Sequence, residues 1–437
     1  MKKKVLIITY YWPPSGGSGV QRWLKFVKYL PQFGWEPVVY TVKEGEFPVI
    51  DESLIKEIPE GIKVIKQPIW EPFGIYKKLT GKKKSEQFGH GFAGEKNEKG
   101  ITRLIKDFAI WVRGNFFIPD ARKFWIKPSV KFLRAYLKEN KIEYIITTGP
   151  PHSLHLIGLE LKKSIPIKWI ADFRDPWTGV YYFPELKLST SAMKKHRQLE
   201  FSVLSEADKI ISVGKTLKEN LIQLCGKDFN SEKIEVITNG FDYDNIEQVE
   251  YPKRFNLVYT GLFSKDQNHL ALWEAIANCC NANSDFNKAI TIDLYGKIDP
   301  SVLASINQFN LRDKVRLYNH VGLLEVGKIQ RNAAILLLCI NHYPGEKEML
   351  TGKLFDYICS LRPILNIGPV DGDAAEIIHT TNTGITLSIN DKLGIEKYFL
   401  QAFEDFKLNK LVVKPVNIHN FHRRSLTEKL SELLEQI

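Results

Sequence analysis

The sequence predicts an α/β protein of two Rossmann-like, doubly wound domains facing a central cleft, and three observations predict it. Short apolar runs alternate with amphipathic stretches along the chain, the pattern of strands and helices in βαβ units. The alternation opens with a strand, a Gly-rich loop and a helix, and it restarts near Phe255. With 437 residues, 44% of them hydrophobic and 25% charged, the chain has the apolar matter for two cores.

Composition narrows the function classes. The five cysteines are odd in number and only Cys279 and Cys280 adjoin, which gives neither a disulfide framework nor CxxC metal spacing. A reducing, cytoplasmic setting is expected, with the inner face of the cytoplasmic membrane as its one refinement. The start MKKKVLIITYYWPP has the charged opening of a signal peptide. Its apolar part is short and runs into Trp12-Pro13-Pro14, so it reads as a first buried strand. No run approaches the ~18 apolar residues of a membrane span. The formal charge of +11 is uneven: residues 1–200 hold 35 Lys and Arg against 20 Asp and Glu, and residues 201–437 hold 26 against 30. The positive field of the first half suits phosphate-bearing or membrane-surface partners. No helix-turn-helix, zinc-finger or RNP signature accompanies it, so nucleic acid is not an expected partner.

Taken in order, Lys4 to Tyr10 reads as a strand, YWPPSGGSG as a loop and Val20 to Leu30 as an amphipathic helix. Gly16, Gly17 and Gly19 let backbone approach a ligand at the positive end of that helix. The spacing is not GxGxxG and no Walker lysine follows, which argues against a dinucleotide or P-loop site. Strands at Glu36 to Thr41 and Lys63 to Gln67 precede a polar stretch over 77–100, expected to be mobile. Residues 101–127 then mix cations with Trp111, Phe116, Phe117 and Trp125. Two readings stand there: a membrane interface, or a helical pair packed on its own domain.

The strand Tyr144 to Thr148 ends in TTGPPHSLH, with His152 in a turn at the carboxyl edge of the sheet, where ligands sit in open parallel sheets. The strand Lys168 to Ala171 ends in DFRDPW. Asp172, Arg174, Asp175 and Trp177 form either an internal Arg–Asp clamp or a lining that hydrogen-bonds an acceptor. Lys209 to Val213 is the next strand, and Ile234 to Asp242 ends in EVITNGFD, which puts a domain boundary near 243–254. The domains are thus expected at 1–245 and 250–410, with a helix in 415–437.

The second half gives strands at Phe255 to Thr260, Ala289 to Tyr295, Val315 to Leu317 and Ala333 to Ile340. From Gly345 to Gly368 the chain reads as a polar loop, a helix opening near Thr351 and an apolar strand Ile364 to Ile367 behind Pro363. Unpaired N–H groups around Thr351, Gly352 and Lys353 suit a phosphate, and the carboxylates of Glu348 and Asp356 suit the hydroxyls of a sugar. The DGD at Asp371 to Asp373 reads as a turn rather than a metal-binding DxD.

The spacing Glu348-x7-Asp356, followed by a Pro-led apolar strand, resembles the Glu-x7-Glu element of retaining GT-B glycosyltransferases of family 4, and Asn239, Gly240 and Asp242 match that family's Asn-Gly-x-Asp hinge. The resemblance implies a GT-B fold, with a last helix that packs back on the first domain. It implies transfer of a sugar from a nucleotide-sugar to a hydroxyl acceptor, with retention, without a metal and without a further cofactor. Glu348 would hold donor-sugar hydroxyls and Asp356, a departure from Glu, the ribose. Leu350 to Lys353, Gly296 and the Gly16–Gly17 loop would border the donor, with His320 and Glu325 near the base. His152 matches a His close to the reacting sugar, and Asp172, Arg174 and Asp175 would meet the acceptor, a glycan or lipid-linked precursor. The family's diphosphate-binding Arg is replaced by Leu262, leaving Lys265 on that loop, with Lys353 as the candidate to assist. A nucleotide-sugar epimerase of the same fold and a silent glycan- or lipid-binding subunit are the alternatives.

Overall fold

A computed structural model describes residues 2–71, 101–243, 249–319 and 321–437, of which 18, 101–106, 323 and 324 are described by backbone alone. The polar stretch 77–100 and His320 lie outside the described residues. The chain divides into two compact units, Met1–Thr238 with Arg423–Ile437, and Asn239–His422.

In the first unit, strands β1 (Lys3–Ile8), β2 (Trp35–Lys43), β3 (Lys63–Pro68), β4 (Tyr144–Gly149), β5 (Lys168–Phe173), β6 (Lys209–Ser212) and β7 (Ile234–Val236) form one sheet in the order β3-β2-β1-β4-β5-β6-β7. Every pairing is parallel. Parallel strands are covered on both faces, which is why VLII of β1 is a continuous apolar run, buried throughout. Alternate residues serve opposite cores: Leu6, Ile8 and Ile145 pack with Trp125 and Trp169, while Val5, Ile7 and Ile146 pack with Trp23 and Trp35. The helix Arg423–Glu435 completes the second of these with Leu426, Leu430, Leu433 and Leu434, and Ser431 accepts from Trp35 Nε1 at 3.2 Å. Each such leucine contributes about 1.5–3 kcal/mol of burial.

In the second unit, β8 (Asn256–Thr260), β9 (Thr291–Tyr295), β10 (Val315–Tyr318), β11 (Ile335–Cys339), β12 (Ile364–Ile367) and β13 (Gly384–Leu387) run in the order β10-β9-β8-β11-β12-β13, again all parallel. Chain order reverses beside β1 and β4 in one sheet and beside β8 and β11 in the other. Ligands of doubly wound sheets bind outside the carboxyl ends at such points.

Two expectations need correction. Within the run Ile234 to Asp242 the strand ends at Val236; Ile237 still bonds Ser212, whereas Phe241 pairs with Phe421 and joins the second unit's core. The division therefore falls between Thr238 and Asn239, ahead of the expected 243–254. The DGD turn also does more than turn, since Asp373 opens the helix Asp373–Thr380.

Candidate active site

In the second unit the carboxyl edge is built from the exits of β8 and β9 and the helix Gly352–Cys359. Gly261 follows β8 and Gly296 follows β9, both with positive φ (102° and 109°). A Cβ on Gly296 would stand 2.6 Å from the Gly261 carbonyl oxygen, so only glycine allows these two strand exits to touch. Thr351 occupies the N-cap position of the helix with extended backbone, but its hydroxyl makes no capping bond; Oγ1 is buried without a protein partner. The expected side-chain cap is absent, and that hydroxyl is left at the amino end of the helix.

Lys353, in the first turn, reaches back to the β8 exit. Its ammonium donates to the Leu262 carbonyl at 3.0 Å and to the Tyr259 hydroxyl, and lies 4.1 Å from the centroid of the Tyr259 ring. Burial pushes its pKa down to about 8. Leu262 is itself 57% exposed, so the loop lacking an arginine has a cation delivered to its backbone from the motif helix. Lys265, exposed, opens a short 3-10 turn, Lys265–Gln267, with its charge felt at Asp299. Glu348 closes a single turn, Glu346–Glu348, set by Gly345. It is half-buried, as is Asp356 farther along the helix. The Asp356 charge reaches Tyr243, whose hydroxyl burial holds up to about 12. Leu350 packs on the core beneath, and Gly352 begins the helix exposed. Glu325 lies in the first turn of the helix Leu323–Arg331.

In the first unit the corresponding edge is largely closed. Asp172 is fully buried: Arg22 Nη2 donates to Oδ1 at 2.9 Å, and Trp23 Nε1 and the Thr148 hydroxyl each donate to Oδ2 at 2.8 Å. Arg22 also holds the carbonyls of Ile237 and Thr238. Asp172 is thus removed from the acceptor contacts, because its oxygens are spent internally; the clamp expected within DFRDPW is replaced by one whose cation, Arg22, comes from outside that run. Arg174 instead donates to the Pro150 carbonyl and fills the space beside Gly19, where any Cβ would overlap its guanidinium. Asp175 is exposed. Gly17 sits at the N-cap of the helix Ser18–Tyr29 with φ 103°, and Gly16 donates to the Val49 carbonyl at 3.0 Å.

His152 precedes the helix Ser153–Ser164, with its ring stacked on Trp177 at 4.9 Å and 8°. Burial lowers its pKa to about 3, which keeps the ring neutral at any working pH. Asp120 holds that helix end by accepting from the Ser153 N–H at 2.9 Å and from its hydroxyl. His155, Arg22, Asp120 and Glu200 escaped the sequence reading. His155 is tied to Thr147 at 2.9 Å and stacked on Phe173, and Glu200 accepts from the Thr178 N–H and hydroxyl. Burial raises the Glu200 pKa to about 7. The i,i+3 spacing of His152 and His155 after a strand was the one available signal.

The basic, aromatic stretch is packed in part and exposed in part. Trp125 is core, stacked on Tyr40 at 5.1 Å, and Arg122 lies over Tyr10 and pairs with Glu71 at 3.0 Å. Phe108, Trp111, Phe116 and Phe124 are exposed.

The family described as Glycosyltransferase Family 4 matches residues 91–245. No curated protein matches the sequence. Among solved structures, Anabaena HepE in complex with UDP and glucose matches at 14% identity and a TM-score of 0.60, covering 100% of both chains. The fold is that of GT-B glycosyltransferases. Sucrose-phosphate synthase from Thermosynechococcus elongatus shares it at 13% identity and a TM-score of 0.60, covering 100% of this chain and 99% of the other. A putative UDP-N-acetylglucosamine 2-epimerase from Listeria monocytogenes matches at 12% and 0.53, covering 100% and 96%. The family match at residues 91–245 supports the family 4 resemblance, and Glu348 and Asp356 lie outside the matched span.

Proposed function

We propose that this protein is a retaining, metal-independent glycosyltransferase that moves a hexose from a nucleotide-sugar to a hydroxyl of a glycan or lipid-linked precursor. The observation that carries this reading is the edge of the second unit, where one short helix holds an unpartnered Thr351 hydroxyl, the Lys353 ammonium and the Asp356 carboxylate, with Glu348 on the turn before it. The diphosphate of the donor accepts from the N–H groups and hydroxyl at Thr351–Lys353. Lys353 and Lys265 offset the charge that develops as the bond from the anomeric carbon to phosphate oxygen breaks. Glu348 orients sugar hydroxyls and Asp356 takes the ribose. The acceptor oxygen bonds the anomeric carbon on the face the diphosphate leaves, its proton passes to the departing phosphate oxygen, and a nucleoside diphosphate is released. In the first unit, neutral His152 serves as a hydrogen-bonding group, with Arg174 and Asp175 as the acceptor contacts, and no cofactor takes part.

The test is nucleotide release and product analysis with UDP-, GDP- and ADP-sugars, with and without glycan acceptors. Acceptor-dependent transfer that survives EDTA supports the reading. Conversion of the donor sugar without acceptor would identify the epimerase instead. No turnover of any donor would favour the silent subunit, and activity lost in EDTA and restored by Mn²⁺ would contradict metal independence.

A further inference from the structure

We propose that the aromatic face formed by Trp70, the carboxyl half of the helix Ile101–Phe116 and Phe124 docks on an anionic phospholipid membrane surface. Among the described residues, every exposed large aromatic side chain lies in the first unit, whereas the exposed large apolar side chains of the second unit are all aliphatic. Phe108, Phe116 and Trp70 are 64%, 58% and 57% exposed. Their rings form two clusters, Trp70–Phe124–Phe117 at 4.7 and 6.0 Å and Phe116–Trp111–Phe108 at 5.6 and 6.0 Å, joined through the chain at Phe116–Phe117. Exposed aromatic side chains grouped in this way mark an interaction site.

Charge decides the occupant. Residues 101–127 carry six Lys and Arg against Asp107 and Asp120. Arg122 is spent on Glu71 at 3.0 Å, and Lys123 and Lys127 are the cations that meet this face. Asp107 is paired at the surface with Lys187 at 2.9 Å, and Asp120 accepts from the Ser153 N–H at 2.9 Å. Lys123 lies 5.6 and 5.2 Å from the Phe117 and Phe124 rings and bonds the Phe116 carbonyl, so a cation is fixed beside these rings; Lys127 stands exposed next to it. Rings that settle at headgroup depth beside cations that meet lipid phosphate are the chemistry of an interfacial membrane contact. Among the described residues no helix is long and apolar enough to cross a membrane, so the contact is peripheral. The inference does not rest on donor chemistry, and a chain inactive on every nucleotide-sugar would still dock.

The experiment is flotation of the full chain with vesicles of phosphatidylcholine alone and of equimolar phosphatidylcholine and phosphatidylglycerol. Binding is expected to the anionic vesicles only, to weaken with salt and to shift tryptophan emission to the blue. Lys127→Gln, on an exposed side chain, should weaken it roughly fivefold. Phe108→Ser with Phe116→Ser should abolish it while circular dichroism and melting temperature stay at wild type. Equal binding to both vesicles, or to neither, overturns the proposal. A dimer in sedimentation that the same Phe variants dissociate, without vesicle binding, would assign the face to a second copy of the chain.

Discussion

The two units share one plan, an all-parallel sheet whose carboxyl edge lies beside a reversal of strand order, yet they treat that edge differently. In the first unit, charge at the strand ends is turned inward: Asp172 is sealed by Arg22, Trp23 and Thr148, and His152 is neutral against Trp177. In the second, Glu348 and Asp356 stay half-buried, Thr351 leaves its hydroxyl unspent, and Lys353 is held by one carbonyl and one phenol. A buried ion pair is costly to break and offers nothing to a ligand. A half-buried carboxylate costs the fold less. Polar density at a strand end therefore does not mark a binding site until the partners of each atom are known.

The largest expected effect breaks the comparison on the first unit. Arg22→Met leaves Asp172 charged and unpaired in the core, which should cost about 3–5 kcal/mol in chemical denaturation. Asp172→Asn added to it should recover part of the loss. Asp356→Asn in the second unit should cost less than about 0.5 kcal/mol.

Next comes Glu348→Gln, which should lower kcat/KM for transfer about 100-fold, the scale of one or two charge-assisted hydrogen bonds, with denaturation midpoints unchanged. Full retained activity would remove Glu348 from the donor site. Lys353→Met should cost roughly tenfold in kcat/KM, the size of one charge-assisted hydrogen bond. Leu262→Arg, at an exposed position, should restore part of that by supplying the loop with its own cation.

The smallest effect sharpens the comparison through pH. Burial raises the folded-state pKa of Glu200 from 4.5 to about 7, so the folded chain holds a proton there that the unfolded chain has released. Stability from this group is present below about 4.5 and is lost as pH rises through about 7. Glu200→Gln should remove that slope from a melting-temperature profile and stabilise the protein at neutral pH, because the Gln carbonyl still accepts from Thr178. An unchanged slope would contradict the assignment.

The central strands were legible because buried parallel strands are nearly pure apolar runs, as in VLII of β1 and ILLLC of β11. The edge strand β13 was not, because GITL, with exposed and half-buried residues, is too short for its alternation to stand out. The motif helix and its N-cap position could be read from Thr351 and Pro363. That Thr351 would not cap, and that Lys353 would curl back to Leu262, depend on where β8 ends in space. The Asp172 clamp was half legible: its composition pointed to an Arg–Asp pair, but its cation comes from 150 residues earlier in the sequence, on another helix.

The central claim is that the carboxyl edge of the second sheet binds a nucleotide-sugar. A thermal-shift panel of UDP-, GDP- and ADP-sugars on wild type, Glu348→Gln and Lys353→Met tests it most directly, because a ligand of the folded state raises the melting temperature by mass action. The account requires a rise with at least one donor that shrinks in both variants. No rise with any donor, or a rise that both variants keep in full, would contradict it.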